Sequence, residues 1–157
     1  MTALVLEPHQ DDAALFSAFN AIRHRAHIVC VTASTTRREE ESRRAAFELG
    51  CTFEQWAEPF TEPDWPDIRR DLEHYDQEHN PELVFAPAST RGGNEQHNTV
   101  SVIAGEVFGA RVTHLHPFWV GRNGMDDTYR RGLKTSSQDH RIYLRRSRMW
   151  APGRSRV

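Results

Sequence analysis

The sequence has few cysteines and no long hydrophobic run. Its two cysteines, Cys30 and Cys51, allow at most one disulfide and lack the spacing of a metal-binding knuckle. The longest apolar stretches are about five residues, far short of the roughly 20 that a membrane-spanning helix needs. The N-terminus has no basic segment followed by an apolar stretch, so we expect neither a secretory signal nor a membrane segment. These absences predict a cytoplasmic protein.

The chain also has little net charge, −2 over 157 residues, but the charge is unevenly distributed. Residues 141–157 contain six arginines and no acidic residue, which leaves 14 of the 20 basic residues and all 22 acidic residues in positions 1–140. We therefore predict one domain over residues 1–140 and a basic C-terminal segment over residues 141–157.

Three interpretations of the basic segment stay open. It can be a solvated terminus, or it can dock on the acidic body of a neighbouring subunit in a homo-oligomer. The third is contact with phosphate or nucleic acid, because Tyr143 and Trp150 lie among the arginines and can stack on bases.

Short apolar runs alternate with amphipathic segments along the chain. Predicted strands cover residues 3–6, 27–32, 52–56, 83–86 and 112–115, and predicted helices cover residues 13–22, 38–49, 68–78 and 100–108. The stretches between them, residues 58–66 and 88–96, are predicted loops. This alternation predicts a three-layer α/β fold, with a mostly parallel, Rossmann-like sheet and helices on both faces.

Two polar loops follow predicted strands and are expected at the same edge of the sheet. One carries His9, Asp11 and Asp12, and the other ends at His97. Two histidines and one carboxylate are the ligand set of catalytic zinc, and a second carboxylate can serve as general base. In the alternative interpretation, the two aspartates only begin a helix and His97 opens the next one at the surface.

The sequence ALVLEPHQDDAAL at residues 3–15 resembles the opening strand and metal loop of the LmbE-like, or PIG-L, family of zinc-dependent N-deacetylases. Three further motifs follow in the family's order. They are the helix segment from Arg38-x-x-Glu41 to Leu49-Gly50, PELVF at residues 81–85 and GNEQH at residues 93–97. The resemblance covers about two thirds of the chain and implies an LmbE-like fold.

Carried over by position, the resemblance implies that His9, Asp12 and His97 bind zinc and that Asp11 is the general base. Gln10 stands where the family has proline, at a position that is not a ligand. The implied reaction is the removal of an acyl group, most simply acetyl, from the nitrogen of an amino sugar or its conjugate by metal-activated water. The same ligand set can also hold iron(II).

Two departures from the family concern the proton donor. Asn94 replaces a histidine that helps to stabilise the oxyanion or protonate the leaving amine, and Gln96 replaces an aspartate that orients that histidine. Asn94 can donate a hydrogen bond but cannot transfer a proton. Either Asp11 passes the proton to the leaving nitrogen while Asn94 helps to hold the oxyanion, or another histidine, His114 or His116, enters the site.

The resemblance also implies substrate contacts from Arg38 and Asp64. The alternative for Arg38 is a solvated helix face, because it lies in a run of charges. Trp65 can stack on a sugar ring or fasten its loop to the core. The second functional hypothesis is a metal-retaining sugar- or nucleotide-binding module without turnover, associated with nucleic acid through its arginine-rich segment.

Overall fold

Strands and helices alternate in a computed structural model that describes residues 2–10, 12–13, 17–32, 35–57, 63–89, 91 and 94–115. The strands are β1 (Ala3–Glu7), β2 (His27–Cys30), β3 (Thr52–Gln55), β4 (Leu83–Pro87) and β5 (Val112–Leu115). The helices are α1 (Ala18–His24), α2 (Thr36–Leu49), α3 (Trp65–His79) and α4 (Glu95–Phe108), and a short 3₁₀ turn, Gly109–Arg111, joins α4 to β5.

The strands form a five-stranded sheet in the order β3-β2-β1-β4-β5, and every neighbouring pair is parallel. At the centre, Val5 of β1 lies in register with Ile28 of β2 on one side and Phe85 of β4 on the other. The chain proceeds outward from β1 through β2 to β3 and then crosses back to β4. Parallel α/β sheets bind ligands at such a reversal, beyond the carboxyl ends of the strands.

Helices cover both faces of this sheet. On one face, Leu6 and Val29 pack in a cluster with buried residues of α3 and α4. On the other face, Val5 and Ile28 pack with buried residues of α1 and α2. Successive residues of a strand point to opposite faces, so the apolar strands supply both cores. The predicted three-layer α/β architecture is confirmed.

Polar side chains start the three longer helices. Thr35 precedes α2, Asp64 precedes α3 and Asn94 precedes α4, and each accepts a backbone N–H from the first turn of its helix. These contacts satisfy N–H groups that have no partner within the helix. Each helix follows a strand of a parallel sheet, so all three N-termini lie at the carboxyl edge.

Three helices begin earlier than the apolar periodicity predicted, α2 by two residues, at Thr36. Trp65 and Pro66 belong to α3 rather than to the preceding loop, because Asp64 caps the helix and proline lacks an N–H that the first turn would leave unpaired. Helix α4 begins at Glu95 because Asn94 caps it. The loop after β4 is therefore shorter than expected.

Both cysteines are buried and free. Burial, reinforced by the charge of Glu7, raises the pKa of the Cys30 thiol far above its ordinary value. Cys30 therefore acts as a small buried hydrophobic residue. Within the described ranges, no helix is both long and apolar enough to cross a membrane.

Candidate metal centre

The first half of the site is the turn between β1 and α1. The backbone N–H of His9 donates to Oδ2 of Asp12 at 2.8 Å, and the N–H of Asp12 donates to the carbonyl of His9 at 3.2 Å. Glu7, only 2% exposed, accepts the N–H of Ala13 through Oε2 at 2.7 Å. These hydrogen bonds close the turn and fix the two predicted ligands relative to the end of β1.

Gln10 fastens the same turn to the neighbouring strands. Its side chain is buried and donates from Nε2 to Oε1 of Gln55 at 3.0 Å. Gln55 in turn donates to the carbonyls of Cys30, at 3.1 Å, and Thr32, at 2.5 Å. The hydroxyl of Ser42 donates to the Gln10 carbonyl. The residue that departs from the family's proline is therefore held by hydrogen bonds on both its side chain and its backbone.

The second half of the site is the N-terminus of α4. Oδ1 of Asn94 accepts the backbone N–H of Gln96 at 2.9 Å and that of His97 at 3.2 Å. This cap fixes the first turn of α4 beyond the end of β4, across the crevice from the β1 turn. His97 thereby reaches His9, although the two residues are 88 positions apart in the sequence.

Three ligand atoms converge in the crevice. Nδ1 of His9 lies 3.1 Å from Nε2 of His97 and 3.3 Å from Oδ2 of Asp12, and the remaining distance, from His97 Nε2 to Asp12 Oδ2, is 3.2 Å. The side chains are 34% exposed for His9, 14% for His97 and 8% for Asp12. The carboxylate thus lies deepest, and the His9 ring borders the opening.

The surroundings of Asp12 favour its ionised form. Burial is the largest single influence on its pKa and raises it, but the hydrogen bonds from His9 and His97, together with the charge of His97, lower the pKa below the ordinary value. A buried carboxylate beside two imidazoles therefore keeps the negative charge that a divalent cation needs.

This arrangement fits a metal ion. Ligand atoms about 2.0–2.1 Å from a tetrahedral zinc are about 3.3–3.4 Å from one another, which is close to the three observed separations. Within the described ranges, His9, Asp12 and His97 are the residues grouped closely enough to hold a metal ion. The ligand trio expected from the sequence is thus brought together by the fold.

Gln96 makes a contact that the sequence reasoning missed. Its Oε1 lies 2.5 Å from Nε2 of His9, on the side of the ring away from Asp12 and His97. The sequence identified Gln96 only as the replacement for a family aspartate. Its position directly before His97 places it on the turn that faces the β1 loop but does not predict the direction of its side chain.

The other predicted residues are less closely involved. Arg38 is exposed on the first turn of α2, and Asp64 caps α3 by accepting the N–H of Asp67 at 3.1 Å. Both lie at the carboxyl edge of the sheet but outside the His-Asp-His group. Asp11, His116 and residues 141–157 lie outside the described residues.

Two alternatives left open by the sequence have structural answers. Nδ1 of His114 lies 3.1 Å from the Ser101 hydroxyl and 3.2 Å from the Pro87 carbonyl, so His114 joins β5 to β4 and α4 and is not part of the metal group. Trp65 is half-buried and packs against the core of α3 and α4, which supports its role in fastening the chain to the core.

Comparison with protein families gives one match over most of the described chain. A family model described as PIG-L, GlcNAc-PI de-N-acetylase, matches residues 4–108. Comparison with curated proteins finds no match.

Several solved structures have a similar fold. A deacetylase triple mutant, Orf2*T, from the teicoplanin biosynthetic pathway is 14% identical with a TM-score of 0.68, covering 94% of this chain and 82% of its own. The zinc-inhibited form of teicoplanin deacetylase Orf2 is 13% identical, with a TM-score of 0.65 and coverages of 94% and 84%. GalB, the 4-carboxy-2-hydroxymuconate hydratase of Pseudomonas putida KT2440, is 17% identical, with a TM-score of 0.63 and coverages of 94% and 83%. At these identities the likeness establishes the fold.

Proposed function

We propose that this chain, which belongs to the PIG-L (GlcNAc-PI de-N-acetylase) family, is a metal-dependent hydrolase that removes an N-acetyl group from an amino sugar or an amino-sugar conjugate. The observation that carries the proposal is the convergence of His9 Nδ1, Asp12 Oδ2 and His97 Nε2, which lie 3.1, 3.2 and 3.3 Å apart. The family description and the two deacetylases of similar fold support the substrate class.

His9, Asp12 and His97 are the residues proposed to hold the metal. A divalent metal bound there supplies a Lewis acid for the amide carbonyl and lowers the pKa of water. Two imidazoles and one carboxylate suit zinc, which is the metal we propose, and the same set also accepts iron(II). The ionised Asp12 contributes the negative charge of the set.

Asp11 is the proposed general base. It directly precedes Asp12 in the sequence, although it lies outside the described residues. Its carboxylate takes the proton from the attacking water and then passes it to the leaving nitrogen. This second step falls to Asp11 because Asn94, at the family's histidine position, cannot transfer a proton.

Arg38 and Asp64 are the proposed substrate contacts. Both lie at helix N-termini on the carboxyl edge, the same edge as the metal ligands. A guanidinium and a carboxylate there can hydrogen-bond the hydroxyl groups of a sugar. The capping bond of Asp64 uses Oδ1, and its other carboxylate oxygen is the one proposed to face substrate.

Asp11→Asn tests the function directly. With zinc-loaded protein and a panel of N-acetylated amino sugars, the freed amine is measured with fluorescamine and bound zinc by metal analysis. Wild type is expected to free amine, whereas Asp11→Asn is expected to free none while keeping about one zinc per chain. Asp71→Asn, the same change at an exposed position on α3, is the matched control. An active Asp11→Asn enzyme would remove the assigned base.

The second candidate is a binding module that retains the metal and a sugar or nucleotide without turnover. The observation that favours it is Asn94, which caps α4 at the position where the family resemblance implies a proton-transferring histidine. Protein that binds zinc and an N-acetylated sugar but frees no amine supports this module. A metal-free protein in which His9→Ala behaves like wild type contradicts both candidates.

A further inference from the structure

The two nitrogens of the His9 ring have different neighbours. Nδ1 faces the ligand group, 3.1 Å from His97 Nε2 and 3.3 Å from Asp12 Oδ2. Nε2, on the opposite side of the ring, lies 2.5 Å from Oε1 of Gln96. The ring therefore lies between the ligand group and one amide oxygen.

The chemistry of the amide oxygen determines which nitrogen carries the proton. A side-chain carbonyl oxygen can only accept a hydrogen bond, so this contact favours the ring form that carries its hydrogen on Nε2. A neutral imidazole has a single N–H, so the form with its hydrogen on Nε2 has on Nδ1 the lone pair that a metal held by Asp12 and His97 would take. The reverse amide orientation would put the hydrogen on Nδ1, where it would block metal ligation.

Gln96 is itself held in place. Its backbone N–H donates to Asn94 Oδ1 at 2.9 Å, and it lies on the first turn of α4, directly before His97. One helix turn therefore carries both a proposed metal ligand and the group that touches the proposed ligand in the β1 turn. This arrangement couples the orientation of His9 to that of His97.

We infer that Gln96 is a positioning residue that fixes the His9 ring with its proton on Nε2 and so presents Nδ1 to the metal. The inference rests on the metal site of the proposed function. Residues that hold a metal-ligating histidine in this way commonly affect metal affinity by about 10–100-fold. Here the supporting residue is a neutral glutamine on the first turn of α4, close to the asparagine that caps the helix.

The inference is tested with Gln96→Leu, which removes the acceptor, and Gln96→Glu, which keeps one. Zinc affinity is measured by competition with a chromophoric chelator. The expected result is a loss of about 10–100-fold in Gln96→Leu and wild-type affinity in Gln96→Glu. Gln77→Leu, at an exposed position on α3, makes the same chemical change away from the site and is expected to leave zinc affinity unchanged.

A second readout needs no metal. Long-range ¹H–¹⁵N spectra of zinc-free, ¹⁵N-histidine-labelled protein at about pH 8 report which nitrogen of a neutral ring is protonated. Wild type is expected to hold a larger share of the His9 form protonated at Nε2 than Gln96→Leu does, because the variant loses the acceptor at Nε2 while Asp12 still accepts at Nδ1. Thermal unfolding of the zinc-free variants confirms that each chain is folded.

The outcomes separate this inference from the proposed function. Wild-type protein that binds no zinc contradicts the metal site, while the His9 spectrum still reports on Gln96. Unchanged zinc affinity and an unchanged His9 spectrum in Gln96→Leu would overturn the role of Gln96. Equal losses in Gln96→Leu and Gln96→Glu would also overturn it, because the glutamate retains an acceptor oxygen.

Discussion

Asn94 combines two roles in one side chain. Its Oδ1 accepts the N–H groups of Gln96 and His97, which leaves its amide N–H₂ as the donor that we propose for the oxyanion. The cap is a structural role that the family's histidine need not fill in the same way. Separating the two roles requires a substitution that keeps an acceptor and removes the donor.

Asn94→Asp makes that separation. An ionised aspartate is as good a helix cap as asparagine and has no hydrogen to donate, so the free energy of unfolding should stay within a few tenths of a kcal/mol of wild type. Loss of an oxyanion donor should lower kcat by about 100-fold or more. Urea unfolding and steady-state deacetylation measure the two effects. Full activity in Asn94→Asp would mean that the residue serves only as a cap, and Asn94→Ala, which loses both groups, provides the comparison.

At the residue scale, the sequence predicted the candidate metal ligands but not the contact of Gln96 with His9. His9, Asp12 and His97 could be found because their residue types and the strands before them indicate one edge of a parallel sheet. The contact between Gln96 and His9 could not be found in this way, because it depends on side-chain directions across the crevice between β1 and β4. Spacing along the chain does not encode those directions.

At the scale of helices and strands, boundaries depend on caps more than on apolar periodicity. The periodicity marks where α4 faces the core, beginning at Val100, and the five polar or exposed positions before it carry no such pattern. Asn94 supplies the start signal instead. The short strand Val112–Leu115 was predicted with its observed bounds because its neighbours on both sides end its apolar pattern.

The backbone conformation of the residues that end α1 and α2 predicts how substitutions there change stability. Helix α2 ends at Gly50 with φ of 72°, while α1 ends at Arg25 in the same left-handed region, with φ of 48°. A non-glycine residue there costs roughly 1–2 kcal/mol. Arg25→Gly should therefore raise the free energy of unfolding by about 1 kcal/mol, and Gly50→Ala should lower it by a similar amount. Urea unfolding measures both, and a less stable Arg25→Gly would contradict the expected relief of strain.

The contact of α3 with β2 and β3 predicts an alkaline loss of stability. Tyr75 of α3 stacks on the ring of His27, with centroids 5.9 Å apart. Burial, followed by the charge of Glu54, raises the pKa of Tyr75 above its ordinary value. Above about pH 10 the unfolded chain releases this phenolic proton while the folded chain keeps it, so stability falls as the pH rises through this range.

Tyr75→Phe tests this contribution. The variant has no phenol to ionise, so its free energy of unfolding should fall less between about pH 8 and pH 10.5 than that of wild type. Urea unfolding at the two pH values gives the comparison, and other groups that titrate in this range are common to both proteins. Equal losses in the two proteins would show that Tyr75 ionises alike in the folded and unfolded chains.

At the scale of the whole molecule, the sheet order explains why one chain of this length can form the site. The proposed metal ligands come from the segments after β1 and β4, which are adjacent in the sheet but separated by two strands and three helices in the sequence. The reversal between β1 and β4 creates the crevice, and the ligands lie on its two sides. The alternation of strands and helices was enough to predict this edge, because parallel strands all end on the same side.

The uneven distribution of charge is also a property of the whole chain. We propose that residues 141–157 form a basic segment that binds single-stranded nucleic acid. Its six arginines contrast with the acidic excess of residues 1–140. Binding through up to six phosphates should weaken steeply with salt, with a slope of log affinity against log salt of down to about −4. The probe is fluorescent oligo(dT), measured by anisotropy at several salt concentrations.

The matched variant replaces all six arginines of residues 141–157 with glutamine in the full-length chain. It should lose oligo(dT) binding and its salt dependence, while zinc affinity and deacetylation of small N-acetylated sugars stay at wild-type values, because the metal ligands all lie within residues 9–97. Unchanged binding would place the nucleic-acid contact elsewhere. If wild type does not bind oligo(dT) even at low salt, two interpretations of the segment are left, a solvated terminus and docking on a neighbouring subunit. Sedimentation of wild type and variant then separates them, because only docking makes self-association depend on the arginines.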